Sequence, residues 1–210
     1  ADALAILNRD YRRLNADANN VYTTFQGMPT DAEINFVFAT VAPNGACFSG
    51  ITRTVSTQTT NGADGQAQVN AITAGNNVYQ GLWPHNRYLN VYVCKNLGGA
   101  AGYTFLPNGG STASATNMYY NGVFLLHNYC GSIGTSSVTT SRALTHEVGH
   151  WLNLSHVWGD DNNLGVACGD DYVSDTPLTK GYTSCSSANN AKICNTSIVE
   201  NYENYMDYSY

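Results

Sequence analysis

The chain has 210 residues, 43% of them apolar and only 11% charged, with a formal net charge of -6. Lys and Arg total 9 and form no basic run, so nothing here would neutralise a phosphate backbone, and nucleic acid is excluded as a partner. No stretch approaches the roughly 20 apolar residues that a membrane helix needs, and the length suits one domain with its own core.

Residues from Asp2 to about Asn19 are predicted as a helix, because Leu4, Leu7, Tyr11 and Leu14 recur at helical spacing with Arg9, Arg12 and Arg13 between them. Ile34 to Val41 is rich in β-formers and runs into Pro43-Asn44-Gly45, a turn signal. Ile51 to Val55 is predicted as a short strand and residues 63 to 80 as a second helix. Tyr88 to Cys94 reads as a strand. Tyr103 to Leu106 reads as a shorter one, stopped by Pro107-Asn108-Gly109-Gly110, and Val123 to Leu126 as another. Helices mixed with strands predict an α/β lobe. From Thr139 the pattern turns helical, with Thr139, Thr140 and Ser141 as candidate caps and Ala143, Leu144, Val148, Trp151 and Leu152 as the apolar face. Residues 159 to 197 read as loops rich in Gly, Asn, Asp and Ser. A segment that long needs support from disulfides or a metal.

The six cysteines include no C-x-x-C pair, so disulfides in an extracellular protein are expected rather than a redox dithiol or a zinc ribbon. The sequence starts at Ala1 without a signal peptide. That is the expected form of a mature secreted chain whose signal and pro-segment have been removed.

The stretch that carries chemistry is His146-Glu147-Val148-Gly149-His150-Trp151-Leu152-Asn153-Leu154-Ser155-His156. Residues four apart stack on one face of a helix, so His146 and His150 can hold one ion from adjacent turns. A continuing helix would carry His156 away from that ion. The chain must turn back, and Asn153 tolerates the left-handed backbone that a turn requires. Three neutral imidazoles leave a fourth position open on Zn²⁺, as in catalytic rather than structural sites. Glu147 lies beside the first ligand, where it can take the proton of a water bound to the ion and pass it to the leaving amine. Unrelated histidines would not be expected at these offsets, and a structural zinc site would not need Glu147.

At these residues the sequence resembles the metzincin metalloproteases, whose zinc motif is H-E-x-x-H-x-x-G-x-x-H, and among them the pappalysin family, the group of pregnancy-associated plasma protein A and ulilysin. His146 to Leu152 is very close to that family's version, and Asn204-Tyr205-Met206-Asp207-Tyr208-Ser209 resembles its Met-turn. Weaker similarity runs through Leu7-Asn8-Arg9-Asp10-Tyr11, Tyr88 to Val93, Gly102-Tyr103 and Asp171 to Pro177. The family usually has Gly where this chain has Asn153. The resemblance implies a metzincin-type α/β (α+β) catalytic domain. Residues 1–152 would form an upper lobe with a twisted, mostly parallel five-stranded sheet and two long helices, the second carrying the zinc motif. Residues 153–210 would form a loop-rich lower lobe with the third zinc histidine and the Met-turn. It further implies that Met206 forms the floor beneath the metal, that Tyr208 stabilises the reaction intermediate, and that an edge strand at Tyr103, Thr104 and Phe105 pairs with extended substrate. Relatives continue past the Met-turn, whereas this sequence ends at Tyr210.

Asp160-Asp161-Asn162-Asn163 and Asp170 to Thr176 gather oxygen donors of the kind that Ca²⁺ prefers. With the resemblance they imply a structural calcium site at Asp170, Asp171, Val173, Asp175 and Thr176; a solvated acidic loop is the alternative. The resemblance also favours a Cys168–Cys194 disulfide, and matches Cys185 to a cysteine whose usual partner lies past Tyr210. Cys47, Cys94 and Cys130 cannot be paired from sequence. His85 and His127 stand alone and are expected to pack. Asn195-Thr196-Ser197 fits the glycosylation pattern, as does Asn153-Leu154-Ser155 within the zinc motif. The function expected is a secreted, monomeric, zinc-dependent endopeptidase acting on proteins or peptides. The alternative is a binding protein of the same fold that keeps zinc and does no chemistry.

Overall fold

The structure is a computed structural model that describes residues 1–53, 83, 84, 86–107, 122–159 and 162–209. The helix expected over 63 to 80, the end of the strand expected over Ile51 to Val55, His85, the turn residues 108–110, and Asp160 and Asp161 lie outside the described residues.

Helix α1 spans Asp2–Tyr11 and stops well short of Asn19. Asp2 sits in its first turn and Arg9 in its last, the arrangement the helix dipole favours. The Asp2 carboxylate also accepts the backbone N–H of Ser132, which pins the helix start to the loop that follows Cys130. Arg12 leaves helical geometry, Arg13 takes a positive φ of 51°, and the N–H groups of Arg13 and Leu14 return to the carbonyls of Asp10 and Arg9. That 5→2 and 6→1 pair is a Schellman stop. Leu14, which seemed to extend the apolar face, is 72% exposed.

Ile34 to Val41 joins no ladder among the described residues over 34–40. The Asn8 side chain takes the place of a neighbouring strand: its amide donates to the Phe36 carbonyl at 2.8 Å and its oxygen accepts the Phe36 N–H at 2.7 Å. The turn after it forms as predicted, with Gly45 at a φ of +85° and Val41 bridged to Cys47.

Three strands follow: β1 (Asn90–Cys94), β2 (Gly102–Thr104) and β3 (Gly122–Leu126). Their order is β1-β3-β2, with β1 parallel to β3 and β2 antiparallel to it. Val123, Phe124 and Leu125 of the central strand are fully buried, which is why this run is apolar without alternation. One face of the sheet presents Val123 and Leu125 to Leu7 of α1 and to Ala143, Leu144 and Val148 of helix α2, Ala143–Trp151. On the other face Phe124 stacks between Tyr92 and Tyr103, with ring centroids 5.0 and 4.8 Å away. The predicted caps Thr139, Thr140 and Ser141 belong to the turn before α2. Their hydroxyls bond within that turn or to Asn128, and none caps the helix.

From Leu152 onward the only helix among the described residues is α3, Cys185–Ala188. The loops there are held by buried acceptors instead of ladders. Glu200, 1% exposed, accepts the N–H groups of Lys180, Ile193 and Cys194. Asp207, 2% exposed, accepts those of Tyr182, Tyr208 and Ser209. Burial pushes the Asp207 carboxyl up to about 7, and those three N–H donors hold the rise back. Cys168 and Cys194 form a disulfide, the pairing the resemblance implied.

Candidate metal centre

Helix α2 places His146 and His150 one turn apart, both buried. It ends as α1 does: Asn153 takes a φ of 74°, its N–H returns to the His150 carbonyl, and the Leu154 N–H returns to Gly149. The predicted turn at Asn153 is therefore a Schellman stop, and it brings His156 back to the helix. The three ligand nitrogens all lie within 4.8 Å of one another. His150 Nε2 is 3.0 Å from His146 Nε2 and 3.2 Å from His156 Nε2.

Hydrogen bonding fixes the state of two of these rings. His146 Nδ1 lies 2.6 Å from the Tyr205 carbonyl, and His150 Nδ1 lies 2.7 Å from the Leu154 carbonyl. A carbonyl only accepts, so both Nδ1 atoms carry the proton and both Nε2 lone pairs point inward. Burial, helped by the neighbouring His150 and His156, pushes the His146 pKa down to about 3 against the opposing pull of the Tyr205 carbonyl, so the ring stays neutral. Lone pairs facing each other at 3.0 Å repel unless a cation lies between them. Three neutral imidazoles fit Zn²⁺ with a position to spare. The His156 ring stacks on Trp158, with centroids 4.3 Å apart and planes 9° from parallel.

Glu147 is 5% exposed and lies against strand β2. A Cβ on Gly102 would stand 2.9 Å from Glu147 Cγ and 3.0 Å from its Oε1, so the strand leaves room for this side chain only by having glycine there. Burial pushes the carboxyl up to about 8, while the facing Thr104 hydroxyl holds it down. The Thr104 hydroxyl faces the carboxyl without reaching good hydrogen-bond geometry, so Glu147 Oε2 and Thr104 Oγ1 are both left incompletely bonded within the chain. A buried carboxylate oxygen left without a donor is costly, and such sites concentrate where chemistry is done.

Met206 is buried with Val157 and Trp158. A Cβ on Gly149 would fall 2.4 Å from the Met206 sulfur, so glycine lets the Met206 side chain pack directly under the helix, and any larger residue at 149 would push that side chain aside. The residue-by-residue reading of the motif missed this. The available signal was a side-chain-free position on the buried face between two ligands. Tyr208 is 39% exposed, and its ring centre is 5.3 Å from that of His146 and 5.0 Å from that of His156. The expected substrate strand is divided. Gly102–Thr104 is β2, at the end of the three-strand order, whereas Phe105 lies just past it and the Tyr103 ring is engaged in packing on Phe124.

In the expected calcium loop the carboxylates turn to their own backbone: Asp170 accepts the Tyr172 N–H at 2.8 Å and Asp171 the Val173 N–H at 3.0 Å. Among the described residues, only the histidine triad brings three or more His, Cys, Asp or Glu ligand atoms together. Cys47, Cys94, Cys130 and Cys185 are free thiols. His127 lies at the surface against the Thr135 hydroxyl, away from the site.

Residues 73–210 match the sequence profile of the peptidase family described as pregnancy-associated plasma protein-A. Mature mirolysin of Tannerella forsythia, solved in complex with a cleaved peptide, superposes over 100% of this chain and 75% of its own with a TM-score of 0.76 at 34% identity. A further mirolysin structure gives a TM-score of 0.78 at the same identity and coverage. An extracellular metalloprotease of Sordaria macrospora is 34% identical over 123 residues, which is 58% of this chain and 41% of that protein. Extracellular metalloprotease 1 of Coccidioides posadasii is 36% identical over 122 residues, 58% of this chain and 42% of its own. The chain thus aligns with about two-fifths of the length of these two fungal relatives.

Proposed function

This chain belongs to the peptidase family of pregnancy-associated plasma protein-A, and from that premise we propose that it is a secreted zinc endopeptidase. The observation that carries the proposal is the convergence of three imidazole nitrogens beside a buried, incompletely bonded Glu147. His146, His150 and His156 would hold the ion. A zinc ion there supplies a Lewis acid that polarises the scissile carbonyl and acidifies water.

The chain's own groups do the rest. Glu147 takes the proton of the attacking water and returns it to the leaving amine, a transfer that needs a base held rigidly, as Gly102 and the helix hold this one. Tyr208 donates its phenolic hydrogen to the carbonyl oxygen as negative charge develops there. Met206 keeps the floor of the site apolar and fixes the depth of α2 through Gly149. Strand β2, antiparallel and at the end of the strand order among the described residues, would present its outer edge to an extended peptide beside Glu147. Residues 1–152 act as the upper lobe and 153–210 as the lower lobe of one catalytic domain, working as a monomer. Secretion is supported by relatives named extracellular and by the disulfide.

The test is digestion of an unfolded protein library with and without a zinc chelator, reading the new termini. Internal cleavages that the chelator abolishes are expected. Zinc retained with no cleavage of any peptide would instead favour the inactive binding protein of the same fold.

Calcium at Asp170, Asp171, Val173, Asp175 and Thr176 is part of the same proposal. It rests on donor type and family likeness. A bound ion stabilises by mass action, so the melting temperature of zinc-saturated protein is expected to rise with added calcium. No rise, with Asp171→Ala melting like the parent, leaves an ordinary acidic loop.

A further inference from the structure

We propose that Arg142 is a positioning residue for the metal centre, holding the ligand His146 through Tyr205 and tying it to the amino-terminal segment. The inference rests on the zinc reading of the triad.

Arg142 lies at the amino end of α2, one turn before His146. Its guanidinium is shared by three partners. Nη2 donates to both carboxylate oxygens of Asp17 at 2.8 Å, and Nη1 donates to the Tyr205 hydroxyl at 2.8 Å. Nε lies 3.8 Å from Asp10 Oδ2, and the guanidinium carbon is 5.2 Å from the centre of the Tyr205 ring. The other end of Tyr205 is its backbone carbonyl, which accepts His146 Nδ1–H at 2.6 Å. One residue therefore receives Arg142 on its side chain and orients a ligand with its main chain.

A second route reaches the same place. Asp10, whose side chain is fully buried, accepts the Thr145 hydroxyl at 2.8 Å, and the Thr145 carbonyl takes the Tyr11 hydroxyl at 3.3 Å. Thr145 is the residue before His146. Asp10 thus bonds the residue before the first ligand, Asp17 bonds Arg142, and Arg142 reaches both carboxylates.

An ion pair to a half-exposed Asp17 contributes little to folding. Its effect here falls elsewhere. The carbonyl of Tyr205 sets the tautomer and the tilt of His146, and loss of such a partner of a ligand typically weakens metal binding by about tenfold to a hundredfold. Lys cannot reproduce the fork that reaches Asp17 and Tyr205 together.

The test is zinc titration of the metal-free chain against a competing fluorescent chelator, with parent, Arg142→Met, Arg142→Lys, Tyr205→Phe and the Arg142→Met/Tyr205→Phe double variant. Melting of each metal-free chain reports folding. Each single variant is expected to bind zinc more weakly by up to about tenfold, the low end of that range, because the Tyr205 carbonyl itself is kept. The double is expected to lose no more than the weaker-binding single, because both act through one carbonyl. Parental affinity in folded Arg142→Met and Tyr205→Phe overturns the inference, as do losses that simply add. If Arg142→Met fails to fold, Tyr205→Phe decides alone, with parental affinity counting against. A parent that binds no zinc refutes the metal site itself, a distinct result.

Discussion

Glu147→Ala is expected to keep its zinc and to lose turnover by about 10²- to 10⁴-fold, the contribution of a positioned general base. The ligand atoms belong to three histidines, so metal retention should be untouched. The side chain removed is the one that strand β2 makes room for, with Gly102 facing Cγ and Oε1 and Thr104 facing the carboxyl. Burial raises this carboxyl to about 8, and a cation held at the triad would pull it back toward the ionised form that a base requires. Zinc content by elemental analysis and kcat on one peptide substrate make the check. Near-parental hydrolysis in Glu147→Ala would remove the proposed base, and loss of zinc would make Glu147 a structural support of the triad.

The second large effect is at Tyr208. Its ring lies against His146 and His156 and is 39% exposed, so the hydroxyl can reach a substrate held at the triad. A phenolic O–H aimed at the carbonyl oxygen strengthens as that oxygen becomes negative, which lowers the barrier without tightening ground-state binding. Phe keeps the ring and its packing on Trp158. Tyr208→Phe should therefore keep zinc and melting temperature and lose kcat by roughly tenfold to a thousandfold, with KM changing much less. Parental kcat in this variant assigns Tyr208 to packing. A loss confined to zinc content assigns it to holding the site together.

What could be read from the sequence was what obeys local rules. The i, i+4 histidines and the left-handed tolerance of Asn153 act within a few residues, and the structure realises both, with Asn153 at a φ of 74°. The apolar run of β3 was legible because burial on both faces leaves no room for polar alternation, and β1 was legible by its β-forming residues although Val91 and Val93 are exposed. Features set at a distance were not. The end of α1 depends on a stop at Arg13 that its charged sequence does not advertise, and Leu14 fits the helical period while pointing to solvent. Ile34 to Val41 has strand composition, but its partner at Phe36 is a side chain 28 residues away. Thr139 to Ser141 are good caps by type and are used one turn early. The Gly102–Glu147 contact joins separate elements, so no window of sequence reveals it, and Gly149 signals a close approach without naming Met206 as the partner. The loop-rich lower lobe was recognised as needing support, and the Cys168–Cys194 bridge was implied by resemblance. That Glu200 and Asp207 would supply most of the rest from the interior had no local signal.

Zinc can be stripped from the purified chain and returned in known steps while bound metal and peptide hydrolysis are followed together. One catalytic site built from His146, His150 and His156 predicts no hydrolysis without metal, a rise in proportion to zinc bound, and a break at one ion per chain. Hydrolysis that persists in the metal-free chain, or zinc that binds at one per chain without restoring hydrolysis, would contradict it.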